Sequence, residues 1–278
     1  MNLKKFLILL VLFCKDIHST NKIFCISIPK SGTWMLDKCI NKLTNKKVAT
    51  ERLAQLGILR HVYTDETSIA LISPSLKILN QCINTIHNDE YLISHLLYKK
   101  DYENMLIKNN FKILFIIRDP RDQLVSLVYH IYKHPTMYSG LQKLKFNDLL
   151  TACIGNESAN PHTSYFNNVT TNYNNFLPWR KSPICQTIRF ENLVGPLGNG
   201  SLKLQVDEIK KIVKHLSLKT PSSTIAKTAK TLFGGTGTFR QGKIGSWKKY
   251  FTPEHKEQFK KVAGQLLIDL GYEKNLNW

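Results

Sequence analysis

The sequence is poor in acidic residues. Of its 278 residues only 20 are Asp or Glu, against 39 Lys or Arg, so the formal net charge is +19. This imbalance favours anionic ligands. Much of the positive charge lies in helical stretches such as 209–214 and 257–262, where we interpret the lysines as solvated helix faces. No base-stacking motif or nucleic-acid-binding fold accompanies the charge, so we do not predict nucleic-acid binding.

Cysteine is also scarce. The six cysteines form no C-x-x-C pair and none lies at metal-ligand spacing from a histidine. We therefore expect neither a structural zinc site nor a disulfide framework. Cys25 and Cys39 fall in a predicted strand and a predicted helix, which indicates buried thiols.

Apolar runs are short as well. The run at residues 6–14 is too short for a comfortable membrane span, and it follows the charged pair Lys4 and Lys5. Together with the small residue Ser19, this pattern predicts a signal peptide or anchor over residues 1–20, with an extra N-terminal helix or strand as the alternative. The leader favours export or membrane association, and the alternative is a cytoplasmic protein.

The sequence has no repeat, no low-complexity tract and no linker, so we predict one domain over residues 21–278. Strand patterns alternate with helical patterns, which predicts an α/β fold: a central parallel sheet with helices on both faces and ligands at the carboxyl ends of its strands. The predicted strands lie at about 22–28, 91–95, 111–117 and 184–190. The predicted helices lie at about 34–44, 74–87, 121–133 and 205–216.

The most informative motif is Pro29-Lys30-Ser31-Gly32-Thr33, between the first predicted strand and helix. A tight turn into a helix N-terminus presents backbone N–H groups to a phosphate, and Lys30 adds a positive charge. The usual nucleotide-triphosphate loop needs G-x-x-x-x-G-K-[ST], which is absent here. The motif therefore predicts a nucleotide with an anionic 5′ end that is not a magnesium-bound triphosphate. We expect Ser31 and Thr33 to donate hydrogen bonds to its oxygens.

Two further segments predict anion binding. Arg118 ends a buried strand, Pro120 begins the next helix, and Ser126 lies two turns into that helix, where it can share an anion with Arg118. Near the C-terminus, residues 239–252 form a basic, glycine-containing loop that includes Arg240.

In this order and at these separations, the three segments resemble the sulfotransferase family that uses 3′-phosphoadenosine 5′-phosphosulfate (PAPS). The resemblance covers roughly residues 22 to 274 and implies a P-loop-like fold, PAPS as co-substrate and no metal. It implies a 5′-phosphosulfate loop at 29–33, a 3′-phosphate motif at 118–126 and a nucleotide loop at 240–248, and it places Phe190 beside the adenine. The implied donor-binding residues are Lys30, Ser31, Gly32, Thr33, Trp34, Arg118, Ser126, Phe190, Arg240, Gln241 and Gly242.

The resemblance places the general base at His95, which ends a short apolar run between the two nucleotide motifs. Transfer of a sulfuryl group to a hydroxyl needs a proton acceptor, and a neutral histidine is suited to that role. A structural, hydrogen-bonded histidine is the alternative. Lys30 would stabilise the charge that grows on the bridging oxygen. We interpret the other histidines, such as His61, His87 and His130, as surface or core groups.

The sequence leaves the chemical identity of the acceptor open. The stretch 134–183 resembles lid and acceptor-pocket material. Its aromatic residues could line an apolar pocket for a phenol or lipid, stack on sugar rings, or belong to the core: Tyr138, Tyr165, Phe166 and Trp179. We predict a small-molecule or glycan acceptor with a hydroxyl or amine.

Two alternatives for function, and two for assembly, remain. One alternative is an ATP-dependent P-loop kinase, which predicts magnesium dependence. The other is a catalytically silent anion-binding protein of the same fold, motivated by departures from the family pattern at Trp34, Ile93 and Gln241. Residues 248–257 resemble a short dimer motif, but Pro253 replaces the usual Val and removes a backbone donor. We predict a monomer or a weak homodimer.

Overall fold

The computed structural model describes residues 22–57, 73–136, 138, 140–155, 168–235 and 239–278. The predicted leader over residues 1–20 and two of the candidate acceptor-pocket residues, Tyr165 and Phe166, lie outside the described residues. No helix among the described residues is long and apolar enough to cross a membrane.

A five-stranded sheet forms the centre of the fold, with strand order β2-β3-β1-β4-β5. All neighbouring strands are parallel, and β1 lies in the middle with β3 and β4 on either side. The strands are β1 (Lys22–Ser27), β2 (Lys47–Val48), β3 (Glu90–Ser94), β4 (Phe111–Ile117) and β5 (Cys185–Arg189). The predicted parallel sheet is therefore confirmed.

The strands are apolar because both faces of the sheet are covered. In β1, Phe24 and Ile26 belong to one core cluster, whereas Ile23 and Cys25 belong to the other. This alternation follows from the two-residue period of a strand. The thiols of Cys25 and Cys39 are buried, as predicted.

Helices pack on both faces of the sheet. They are α1 (Thr33–Thr44), α2 (Thr50–Gln55), α3 (Leu76–Thr85), α4 (Lys100–Lys108), α5 (Pro120–Lys133), α6 (Phe146–Ile154), α7 (Val169–Asn174), α8 (Phe190–Leu193), α9 (Leu202–His215), α10 (Ser222–Thr231) and α11 (Pro253–Asp269). In the described residues, 3₁₀ helices lie at Leu141–Lys143, Leu177–Lys181, Pro196–Gly198 and Ser246–Lys249.

Helix starts agree with the capping residues of the sequence. In α5, Pro120 occupies the first turn and the Asp119 side chain accepts a hydrogen bond from the Arg121 N–H. In α11, Thr252 and His255 form a reciprocal capping box with Pro253 in the first turn.

The sequence patterns missed the shortest and most polar elements. Strand β2 has only two residues, and it pairs with β3 through Lys47 opposite Glu90. Helix α4 buries only three of its nine residues, so its apolar stripe is weak. Such elements are stabilised by their neighbours rather than by local periodicity.

Candidate functional site

The carboxyl ends of four parallel strands meet at one edge of the sheet. The loop with Lys30 follows β1, His95 directly follows β3, Arg118 directly follows β4 and Phe190 directly follows β5. Since adjacent strands run in the same direction, residues that are far apart in sequence lie on one edge. The sheet thus gathers the predicted segments on a single rim.

The loop between β1 and α1 has an unusual backbone. Lys30 has φ 67° and Gly32 has φ 106°, both in the left-handed region. A Cβ atom on Gly32 would lie 2.7 Å from the Phe190 ring, so glycine is required here for space as well as conformation. This close packing fixes the loop against α8.

Backbone donors are free where this loop enters α1. The Ser31 N–H donates to the Ile28 carbonyl, whereas the N–H groups of Gly32, Thr33 and Trp34 donate to no acceptor among the described residues. They lie at the N-terminus of the 12-residue helix α1. Free N–H groups at the positive end of a helix dipole form an anion cradle.

Lys30 adds charge to this cradle. Its side chain is half-buried, and its ammonium group makes no hydrogen bond or ion pair with the described part of the chain. Burial, followed by the charges of Arg118 and Lys133, lowers the pKa of Lys30 to about 8. The lysine is thus a charged group without a counter-ion, which an anionic ligand would supply.

Ser31 and Trp34, two predicted ligands of the cradle, differ in burial. The Ser31 side chain is fully buried, and the Tyr173 hydroxyl lies beside it. The Ser31 hydroxyl therefore does not face solvent. Trp34 is half-buried on α1, outside the two core clusters.

His95 has a defined tautomer. Its Nδ1 lies 2.7 Å from the carbonyl oxygen of Ser27 on β1. A carbonyl oxygen can only accept, so Nδ1 carries the proton and Nε2 keeps its lone pair. Burial, with a smaller contribution from the Lys30 charge, lowers the pKa of His95 to about 4. The imidazole is therefore neutral at physiological pH.

Arg118 contacts both the loop after β1 and the C-terminal loop. Its guanidinium donates to the carbonyl oxygens of Lys30 at 3.4 Å and Lys243 at 3.1 Å, and it stacks 4.2 Å from the centre of the Phe190 ring. Its buried Nε donates to no acceptor among the described residues. The arginine thus joins the loop after β1 to the C-terminal loop and keeps one donor unused.

Asp122, on α5, fastens the C-terminal loop. Its carboxylate accepts from the N–H groups of Gly245 at 2.7 Å and Trp247 at 2.8 Å, and from the Ser246 hydroxyl at 3.0 Å. Burial raises the pKa of Asp122. The sequence patterns did not single out this residue, because its partners lie more than 120 positions away.

The C-terminal loop lies against the face of α5 that carries Ser126. The Arg240 guanidinium lies 4.1 Å from the centre of the Tyr129 ring and donates to the Tyr250 hydroxyl at 3.3 Å. Tyr129 follows Ser126 by three positions, which is the same face of a helix. Arg240 thus lies against the face of α5 that carries Ser126, and Arg118 is joined to the same C-terminal loop at Lys243.

Gln241 and Gly242 complete this loop. The Gln241 side chain is exposed, and Gly242 has φ 59°. A groove of about 540 Å³ runs along the loop. Its lining residues are Leu197, Phe233, Phe239, Arg240, Gln241, Lys243, Ser246, Lys249 and Tyr250.

The interpretation of His130 as a surface or core group missed its location. The charges of Lys30 and His95 act on this half-buried ring, and burial, followed by Lys30, lowers the pKa of His130 to about 3. Its ring lies 4.3 Å from that of His134 and 5.8 Å from that of Tyr138. His130 lies one turn beyond Ser126, so its helical register was the signal that could have found it.

Trp179, a candidate for the acceptor pocket, belongs to the core. It is fully buried, its indole N–H donates to the Leu96 carbonyl at 2.9 Å, and its ring packs edge-on against Tyr98 at 5.0 Å. Tyr138, in contrast, is half-buried beside His130. The described residues contain no cluster of His, Cys, Asp or Glu that could hold a metal ion.

A family model described as "Sulfotransferase domain" matches residues 20–196 and 197–271, nearly the whole chain. Cytosolic sulfotransferase 17 of Arabidopsis thaliana is 24% identical over 253 residues, which cover 84% of this chain and 70% of the relative. A flavonol sulfotransferase-like protein of Flaveria bidentis is 25% identical over 277 residues, which cover 90% of this chain and 82% of the relative.

Solved structures share the fold. The crystal structure of mouse sulfotransferase SULT7A1 complexed with PAP, at 19% identity, has a TM-score of 0.62, with 91% of this chain and 87% of that chain covered. Retinol dehydratase in complex with androsterone and the inactive cofactor PAP, at 16% identity, has a TM-score of 0.59, with 89% and 81% covered.

Proposed function

Since this chain belongs to the sulfotransferase domain family, we propose that it transfers a sulfuryl group from PAPS to a hydroxyl or amine of an acceptor. We propose His95 as the general base and Lys30 as the electrostatic catalyst. The observation that carries this proposal is the neutral His95, whose Nδ1 proton is held by the Ser27 carbonyl at 2.7 Å. Its Nε2 atom is thereby left as a proton acceptor.

The proposed reaction needs no covalent intermediate. The acceptor oxygen attacks sulfur while the bond from sulfur to the bridging phosphate oxygen breaks, and His95 Nε2 takes the acceptor's proton. Lys30 and the free N–H groups of Gly32, Thr33 and Trp34 stabilise the negative charge that grows on the bridging oxygen. They are in place before the reaction, so little reorganisation is required.

Donor binding is supported by two observations, one on similar structures and one on this chain. PAP is present in the crystal structures of mouse SULT7A1 and of retinol dehydratase, and it is the product that PAPS leaves after transfer. In this chain the buried Nε of Arg118 lacks an acceptor, which a 3′-phosphate would provide. We propose that Arg118, Ser126 and Arg240, with Gln241 and Gly242, hold that phosphate, and that Phe190 and Trp34 flank the nucleoside.

The proposed acceptor is a small molecule or a glycan. Retinol dehydratase was crystallised with androsterone, and one relative is named as flavonol sulfotransferase-like. In this chain, Tyr138 beside His130 provides an aromatic wall near the base. A panel of phenols, sterols, amines and sugars assayed with radiolabelled PAPS would identify the class.

Donor binding tests the proposal first. We expect calorimetric titration to show tighter binding of 3′,5′-adenosine bisphosphate than of ADP, without magnesium. A protein that prefers ATP and needs magnesium would instead be a kinase. A protein that binds the bisphosphate but transfers sulfate to no acceptor, even at high enzyme concentration, would be the silent binding protein.

Location and assembly are separate proposals. We propose that residues 1–20 direct export or membrane association, which an N-terminal sequence of the protein purified from its native cells would test; an intact N-terminus on a cytosolic protein would contradict it.

We propose a monomer or weak homodimer, because Pro253 begins α11 without a backbone donor. Analytical ultracentrifugation at micromolar concentration would measure the mass.

A further inference from the structure

A hydrogen-bond chain joins His95 to the loop after β1. The Ser27 hydroxyl lies 3.1 Å from His95 Nδ1 and 2.7 Å from the Thr33 hydroxyl. Ser27 and Thr33 are buried, and His95 is half-buried. Ser27 therefore contacts both the proposed base and the first residue of α1.

Counting protons sets the direction of this chain. His95 Nδ1 carries a proton because it also faces the Ser27 carbonyl, so the Ser27 oxygen can only accept from it. The Ser27 proton is then available for the Thr33 oxygen. Thr33 keeps its own proton, for which the described residues offer no acceptor. When an anion accepts the Thr33 proton, the Thr33 oxygen accepts from Ser27, and all three donors then point from the imidazole toward the anion cradle.

We propose that Ser27 is a positioning residue that couples donor binding to the general base: an anion that accepts the Thr33 proton polarises the chain and makes His95 Nε2 more basic. This inference rests on the proposed function, because the anion is the 5′ end of the donor. Hydrogen bonds in series strengthen one another in a low-dielectric interior. The base is thereby activated when the donor is in place.

Other charged groups also act on His95 and must be separated from this effect. Lys30 faces it from the loop after β1, and His130 faces it from α5. A bound anion also attracts the imidazolium directly through space, with or without Ser27. The contribution of the hydrogen-bond chain is therefore the part of the ligand-induced change in the pKa of His95 that disappears when the Ser27 hydroxyl is removed.

Nuclear magnetic resonance can measure that part. The Cε1–H signal of His95, assigned by its loss in His95→Gln, is titrated with pH in the absence and presence of 3′,5′-adenosine bisphosphate. We expect the ligand to raise the pKa of His95 in the wild type, and to raise it by about half a unit less in Ser27→Ala. The alanine keeps the backbone carbonyl, so the ring keeps its orientation.

Ser94→Ala is the matched control. Its hydroxyl is buried next to His95 but makes no hydrogen bond to the described residues, so we expect the wild-type response. Thr33→Val breaks the hydrogen-bond chain at its other end, so the ligand should raise the pKa of His95 less in this variant too. This variant tests the proposal even if Ser27→Ala fails to fold. Thr33→Ser keeps the hydroxyl and should show the wild-type rise in pKa.

The outcomes separate the two proposals. If the wild type does not bind 3′,5′-adenosine bisphosphate in calorimetry, the proposed function is wrong. If it binds, and the variants without the hydroxyl chain respond as the wild type does, only the coupling through Ser27 is wrong. A loss confined to Ser27→Ala and Thr33→Val supports the coupling.

Discussion

Two loops at the same edge of the sheet are built in opposite ways. In the loop after β1, the N–H groups of Gly32, Thr33 and Trp34 are free, and the Lys30 charge has no counter-ion. In the C-terminal loop, Asp122 accepts two N–H groups and the Ser246 hydroxyl, and Arg240 stacks on Tyr129.

The contrast distinguishes a loop that can bind a ligand from a loop whose conformation is stabilised by hydrogen bonds. A free donor at a protein surface is available to a ligand, whereas a satisfied donor stabilises a conformation. The loop after β1 thus offers free donors and a positive charge to an anionic ligand. The C-terminal loop is arranged to stay in place, so that Arg118 and Arg240 face the same region. Four experiments test this comparison.

The largest effect is expected for His95→Ala, which removes the proposed base and leaves both loops intact. Turnover should fall by about two to four orders of magnitude, while calorimetric affinity for 3′,5′-adenosine bisphosphate changes little. His87→Ala is the matched control, because this exposed imidazole precedes β3 and lies at the opposite end of that strand from His95. Near-normal turnover in His95→Ala would mean that His95 is structural.

Asp122→Ala tests the fastened loop. It leaves the Gly245 and Trp247 N–H groups and the Ser246 hydroxyl without their acceptor, so the free energy of unfolding should drop by about 3 kcal/mol. Urea denaturation measures this change. The exposed Asp148, near the start of α6, provides a control, since Asp148→Ala should change stability by less than about 0.5 kcal/mol. Equal losses would contradict the fastening role of Asp122.

Arg118→Ala lies between the two loops and tests the 3′-phosphate clamp. Charge-assisted hydrogen bonds contribute about 1.5–3 kcal/mol, so binding of 3′,5′-adenosine bisphosphate should weaken by roughly ten- to a hundredfold. Binding of 5′-AMP, which lacks the 3′-phosphate, should hardly alter. Equal losses for both nucleotides would mean that Arg118 supports the loops without contacting the phosphate.

The smallest effect concerns pH and the cradle alone. His95, with its pKa lowered to about 4, gains a proton only as pH falls through that value, and Lys30, with its pKa lowered to about 8, loses its charge as pH rises through that value. The profile of kcat/KM should therefore be flat near neutral pH and fall on both sides. In Lys30→Arg the alkaline fall should vanish, because arginine stays charged. An unchanged alkaline limb would assign it to another group.

Local patterns predicted the strands well because apolar runs and strand-end motifs are contiguous in sequence. The helix start at Pro120 and the cradle at Gly32 were predictable for the same reason. The roles of Asp122 and Ser27 were not, because their partners lie 123 and 68 positions away. The local motif also did not indicate that packing buries the Ser31 hydroxyl beside Tyr173.

The sequence alone determined the parallel α/β sheet, the motif after β1, the arginine after β4 and the histidine after β3, since each depends on residues adjacent in the chain. Only the tertiary structure decided which donors remain free and which are satisfied. The tautomer of His95 depends on a carbonyl from another strand, and the fixed position of the C-terminal loop depends on a carboxylate from α5. Whether a donor has an acceptor depends on three-dimensional proximity, because the two groups often come from segments that are far apart in sequence.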